Sequence, residues 1–167
     1  MQAATIIKAG NPILKSQSNM VTNFGTKELK ELIEYLFFNL AHHKGVGIAA
    51  PQIGEKWRIF VYGFSKNSRY PDFKPIEKTV LINPEIYFFS KKTNDLYEGC
   101  LSIPNIRGLV SRSTNIKFKA QNIDGELLER MVSGVEARII QHELDHLNGI
   151  LFPERISHLN TLIYTEN

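Results

Sequence analysis

The sequence predicts an α+β fold in one domain, residues 1–167. Three observations carry that prediction: an amphipathic helix near the N-terminus, a middle stretch dense in β-forming segments, and a second helix near the C-terminus. Strands grouped together with a helix at each end are the α+β pattern rather than the strand–helix alternation of an α/β chain.

Gly10-Asn11-Pro12 is a turn signal near the start. From Lys27 to Lys44 the apolar residues Leu29, Leu32, Ile33, Leu36, Phe37 and Leu40 recur on one face of a helix. Thr26 is placed to cap its start and Gly45 to end it. Arg58 to Phe64 is rich in β-branched and aromatic residues and reads as a strand. Ser65 to Glu77, with Pro71 and Pro75, reads as a loop. Thr79 to Asn83 reads as a strand ended by Pro84, and Ile86 to Phe89 as a third. Gly108 to Ser111 and Asn115 to Gln121 follow. Asn122 to Gly125, with its Asp-Gly pair, is a hairpin turn, and Leu127 to Val132 is the returning strand. Ser133 followed by Glu136 forms a capping box. The second helix runs from there to Leu147 or Asn148, with Gly149 in the left-handed position beyond its end.

A chain of 167 residues with 43% apolar and 22% charged residues has the make-up of an ordinary globular domain. The net charge of +3 is modest, and Lys66, Arg69, Lys74, Lys78, Lys91 and Lys92 are scattered. No concentrated basic stripe argues for nucleic acid. One cysteine, Cys100, rules out an internal disulfide and fits a reducing compartment. Met1 to Gly10 has no apolar run, and the longest apolar stretch, Leu36 to Ala41, is interrupted by Asn39. Neither supports a secretory signal or a membrane span. The expectation is a soluble, intracellular protein.

His142-Glu143-Leu144-Asp145-His146 falls on the second helix. Spacing of four puts both imidazoles on one face, one turn apart, where they can share a cation. Glu143, one residue along, is placed to exchange protons with a water that the cation acidifies. A merely solvated helix face is the competing reading. Val135, Ile139, His142 and His146 lie on one stripe, so the histidines continue the apolar face. A catalytic metal needs a third protein ligand. One protease class supplies it as a histidine six residues past the second, but Phe152 stands there. Glu154 is too close, and His158 and Glu166 have no recognised spacing, so the third ligand is sought upstream. Cys100, in Glu98-Gly99-Cys100-Leu101-Ser102, offers a thiolate. Taken alone it reads first as a small buried hydrophobe. A nucleophile paired with a histidine is a third option, but the Glu-Gly-Cys context matches no nucleophile signature. Gly45-Val46-Gly47-Ile48-Ala49-Ala50-Pro51-Gln52 lets an extended peptide approach closely, and Gln52 carries an amide able to hold an oxyanion. No strand precedes this loop and no Lys-Ser/Thr follows it, so it is not a phosphate cradle.

Together these segments resemble the peptide deformylase family. That family is known by a Gly-φ-Gly-φ-Ala-Ala-x-Gln loop, a Glu-Gly-Cys-φ-Ser loop and a Gln-His-Glu-φ-Asp-His helix, in that order. Gly45–Gln52, Glu98–Ser102 and Gln141–His146 match them in full. The similarity extends to Gly10–Leu14 and Ser102–Arg112. The resemblance implies antiparallel sheets packed around a C-terminal metal-binding helix. It implies Cys100, His142 and His146 as ligands of one divalent ion, iron(II) foremost, with zinc, nickel or cobalt as substitutes. Glu143 becomes general base and then acid. The Gln52 side chain and the Leu101 backbone N–H become the oxyanion donors. Gly45, Gly47, Ile48 and Gly99 border the peptide, and Val135 and Ile139 wall the methionine pocket. The implied substrate is the N-formylmethionyl end of a nascent chain, met near the ribosome in a bacterial-type cytoplasm by a monomer, without nucleic acid or membrane. Some bacterial members carry a long basic final helix proposed to dock on the ribosome. Here Phe152 to Asn167 is short and nearly neutral, against docking of that kind.

Two other readings stay open on the residues alone. One is a zinc metalloprotease or other amidase using the same helix. The other is a non-catalytic peptide-binding module with a structural metal, for which His42 and His43 are remote candidates for a fourth ligand. Arg107 and Arg138 have no assigned role beyond a possible peptide contact.

Overall fold

The computed structural model describes residues 1–65 and 73–166. The first helix, α1 (Lys27–His42), is capped by Thr26, whose hydroxyl accepts from the Leu29 N–H. Its end departs from expectation. His43 is the C-cap and Lys44 itself takes the left-handed position at φ 53°, so the helix stops short of Gly45.

Eight strands follow in chain order: β1 (Gly47–Ala49), β2 (Ile59–Phe64), β3 (Ile76–Phe89), β4 (Thr93–Cys100), β5 (Ile103–Ser113), β6 (Asn115–Gln121), β7 (Leu127–Ser133) and the short β8 (Ile163–Tyr164). Helix α2 (Gly134–Leu147) lies between β7 and β8. Among the described residues these strands pair antiparallel throughout. Five strands form one sheet in the order β1-β2-β3-β6-β7, and three form another in the order β4-β5-β8.

Four expectations differ in the structure. Thr79–Asn83 and Ile86–Phe89 are one strand, not two. The ladder shifts register between Ile82 and Glu85, Asn83 takes φ 51°, and Pro84 sits in that shift, where its missing N–H breaks no pairing. The Cys100 segment is not a loop between strands, because Cys100 is the last residue of β4. Strand β5 also begins five residues before Gly108. Strand β4 opens on three exposed polar residues, and β5 interleaves Asn105, Arg107, Ser111 and Arg112 with apolar ones, so no apolar run announces either strand. Ser133 does occupy the cap position of α2, but its hydroxyl does not cap. Glu136 instead accepts from Tyr62 (2.9 Å) and Arg130 (3.2 Å), which removes it from the capping box. Most of the expected Ser65–Glu77 loop lies outside the described residues, and β3 begins within its last two positions. Gly149 is left-handed at φ 73°, as expected, with Lys15 backbone against it.

The five-stranded sheet is covered on both faces, which explains why β2 is buried at all six positions. Ile59 and Val61 pack with Leu29, Ile33, Leu36 and Leu40 of α1. Phe60, Tyr62 and Phe64 pack with Ala137, Ile140, Leu144 and Leu147 of α2. No helix among the described residues is long and apolar enough to cross a membrane.

Candidate metal centre

Helix α2 is buried almost all round from Ala137 to Leu147, so His142, Glu143 and His146 face protein and a cleft, not bulk water. Gln141 pins this part of the helix to the end of β5. Its amide donates to the Ser113 carbonyl (2.9 Å), and its oxygen accepts from the Ser113 N–H (3.2 Å). Across the cleft, β4 ends by presenting Cys100. The donor atoms of Cys100, His142 and His146 all lie within 4.8 Å of one another. Cys100 Sγ is 3.2 Å from His146 Nε2. No fourth histidine, cysteine or carboxylate joins this set among the described residues. One soft thiolate and two imidazoles with an open position fit a catalytic transition metal rather than a closed structural site. Phe152, where one protease class has its third histidine, is buried and stacks on His142 at 6.5 Å between centroids.

Electrostatics prepares these donors. Burial disfavours the Cys100 thiolate, but His146 and His142 beside it outweigh that and hold the thiol well below its ordinary range. His142 Nδ1 meets Glu98 Oε2 at 2.9 Å, which leaves Nε2 free to serve as a ligand. Burial likewise opposes ionised Glu98. The hydrogen bonds from His142 and Arg112 overcome it and keep the carboxyl far below the usual range.

Glu98 belongs to a buried ion network. Arg112 donates to both Glu98 oxygens at 3.0 Å and to Asp145 Oδ2 at 2.5 Å. Arg138 donates to Glu98 Oε1 at 2.6 Å and to the Val110 and Asn94 carbonyls. Arg155 closes on Asp145 from the surface side at 2.6 Å. Arg138 is thereby settled as a partner of Glu98. Glu98, Arg112 and Asp145 were given no role on the sequence. The signal was that Glu98 and Asp145 sit inside the two metal motifs, while Arg112 becomes visible only in three dimensions.

Glu143 is 3% exposed, and its Oε2 has no hydrogen-bond partner in the structure. Burial raises its carboxyl to about 7, with His142 and His146 pulling it back down. Gln52 is equally buried. Its Oε1 accepts from the Ala49 N–H (2.8 Å), which turns the amide nitrogen toward Ser102 Oγ (3.2 Å) and Cys100 Sγ (3.6 Å).

A pocket at the centre brings together Gly45, Gly47, Gly99, Leu101, Val135 and Ile139, with Arg107 at its edge. Ile48 is placed differently. It is fully buried against α1 and does not line this pocket, although its neighbour Gly47 does. Strands β1 and β4 each end a sheet beside this pocket.

Comparison with known proteins agrees with this arrangement. The family described as polypeptide deformylase matches residues 3–161. Peptide deformylase 1 of Bordetella pertussis is 44% identical over 161 residues, 96% of this chain and 92% of that protein. The crystal structure of a class I type b peptide deformylase from Acinetobacter baumannii with Met-Ala-Ser bound superposes with a TM-score of 0.90 at 39% identity. The match covers 93% of this chain and 99% of that one. The peptide deformylase of Thermotoga maritima gives 0.85 at 39% identity, covering 95% and 100%. With the family model matching residues 3–161, and relatives 39–44% identical covering nearly the whole chain, the protein belongs to the polypeptide deformylase family.

Proposed function

We propose that residues 1–167 act as one catalytic domain that hydrolyses the N-formyl group of the initiator methionine on nascent polypeptides. The observation that carries this reading is the convergence of Cys100, His142 and His146 beside a buried, hydrogen-bond-poor Glu143. These three residues hold the divalent ion, iron(II) foremost, with zinc, nickel or cobalt as substitutes. Once bound, the ion supplies Lewis-acid polarisation of water and carbonyl oxygen. Glu143 takes the proton from the attacking water as the new C–O bond forms, and returns it to the α-nitrogen as the C–N bond breaks. Formate and a free α-amine leave. Gln52 Nε2 and the Leu101 N–H stabilise the oxyanion of the tetrahedral species. The peptide lies extended between β1 and β4, bordered by the Gly45, Gly47, Ile48 and Gly99 main chain, and Val135 and Ile139 wall the methionine side chain. The setting is a bacterial-type cytoplasm, close to translating ribosomes, and the enzyme acts as a monomer.

The test is formate release from formyl-Met-Ala-Ser, using protein purified without oxygen and reloaded with iron(II), with zinc-loaded protein alongside. Rapid release is expected with iron. Folded, metallated protein that releases none with either metal overturns the reading. Cys100→Ala is expected to lose the bound metal under the same conditions, as measured by elemental analysis, and a fully metallated variant removes Cys100 from the ligand set.

Gly47 gives a sharper prediction. A Cβ there would lie 2.8 Å from Glu143 Cδ and 2.9 Å from Cγ. Gly47→Ala therefore displaces the Glu143 carboxylate, and kcat is expected to fall about a hundredfold with metal content unchanged. An unaltered kcat would mean that the carboxylate position is not critical.

A further inference from the structure

Residues 4–9 run across the molecule as a strap that no motif of the catalytic set includes. At one end the Ala4 N–H donates to Asn39 Oδ1 (2.7 Å), and the Ala4 carbonyl meets His43 Nε2 (3.0 Å). Asn39 is fully buried on the core face of α1, where an unpaired amide is costly, and the strap supplies its partner. Ile6 then enters the α1 core at 4% exposure. The Ile7 N–H donates to the Gln52 carbonyl (2.9 Å), and the Ala9 N–H to the Ser102 carbonyl (2.9 Å). Between them Lys8 Nζ donates to the Leu101 carbonyl (2.8 Å).

Gln52 follows β1 of the five-stranded sheet and Leu101 follows β4 of the three-stranded sheet, and among the described residues no strand pairing joins the two sheets. Ile7 and Ala9 are two residues apart, so covalent geometry fixes their span within narrow limits. Anchored at both ends, that span measures out the distance between the two loops.

We infer that this strap, with Lys8 as its adjustable contact, positions the two oxyanion donors relative to each other. Lys8 is a positioning residue acting through the Leu101 backbone. The inference rests on the proposal that Gln52 and Leu101 hold the oxyanion. Because those donors matter most when charge develops on the oxygen, loosening their spacing lowers kcat and leaves ground-state binding nearly intact.

The experiment is a double-mutant cycle on the iron-loaded full chain with formyl-Met-Ala-Ser. Lys8→Met, an exposed change, is expected to lower kcat about fivefold. KM should stay within twofold and Tm should hold. Lys8→Arg should keep most of the rate. In a Gln52→Ala background, which should itself be slow by about a hundredfold or more, Lys8→Met should cost less than twofold. A near-normal Gln52→Ala rate sinks the oxyanion reading, and the strap proposal with it. A slow Gln52→Ala combined with a normal Lys8→Met sinks the strap alone. So does the same fivefold loss in both backgrounds, or a raised KM with unchanged kcat, which would make Lys8 a substrate contact.

Discussion

Glu143→Gln is expected to leave the metal bound and the protein folded while formate release falls by about a hundred- to ten-thousandfold. The side chain keeps its volume and loses its ability to take a proton. Its stability effect should run the opposite way. Glu143 is 3% exposed, with one carboxylate oxygen lacking any hydrogen-bond partner in the structure. Ionising it there costs free energy that the neutral amide does not. Tm is therefore expected to hold or rise, the trade of stability for activity common at catalytic positions. Steady-state kinetics, elemental analysis and calorimetry on the same preparation check all three. A rate within threefold of wild type would remove Glu143 from the proton transfers.

The largest stability effect is expected at Arg112→Ala. Arg112 is the shared cation between Glu98 and Asp145, and all three side chains are nearly excluded from solvent. Removing one member of a buried pair leaves charge uncompensated, which typically costs about 3–5 kcal/mol. Here Arg138 still meets Glu98 and Arg155 still meets Asp145, so the lower end applies. About 3 kcal/mol in a chain of this size lowers Tm by roughly 10 °C. Glu98 also orients His142, so metal affinity should weaken by about tenfold or more. The Lys15–Glu154 pair is the control. Both partners are about half exposed, and Lys15→Ala should change stability by less than about 1 kcal/mol. Equal Tm values for Arg112→Ala and Lys15→Ala would mean that the buried network does not support the centre.

The helix bearing His142, Glu143 and His146 was legible in the sequence because its signal is local. A four-residue spacing on an apolar stripe puts two imidazoles on one face whatever surrounds them. The same holds for α1, for the hairpin at Asp124-Gly125, and for the left-handed Gly149. Strands β4 and β5 were harder to read. They mix exposed polar residues with buried charged ones, Glu98 and Arg112, whose partners in α2 are distant in sequence, so neither strand carries an apolar signature. The Ser133 cap was misread because Glu136 finds Tyr62, a partner 74 residues away, and local capping loses the competition.

By itself the sequence determined the chemistry on offer: two imidazoles and a carboxylate in fixed helical register, one thiol, and a glycine-rich approach, with three motifs whose order pointed to the family. Only the tertiary structure decided which distant groups complete each other. It brought Cys100 to the histidines and set Glu98 behind His142 with Arg112 and Arg138 around it. It also gave the buried Asn39 a partner in Ala4 and closed the space above Gly47 with Glu143. The physical reason is that hydrogen bonds, ion pairs and steric exclusion act over a few ångströms of space. The sequence reveals such neighbours only where the chain is also close to itself.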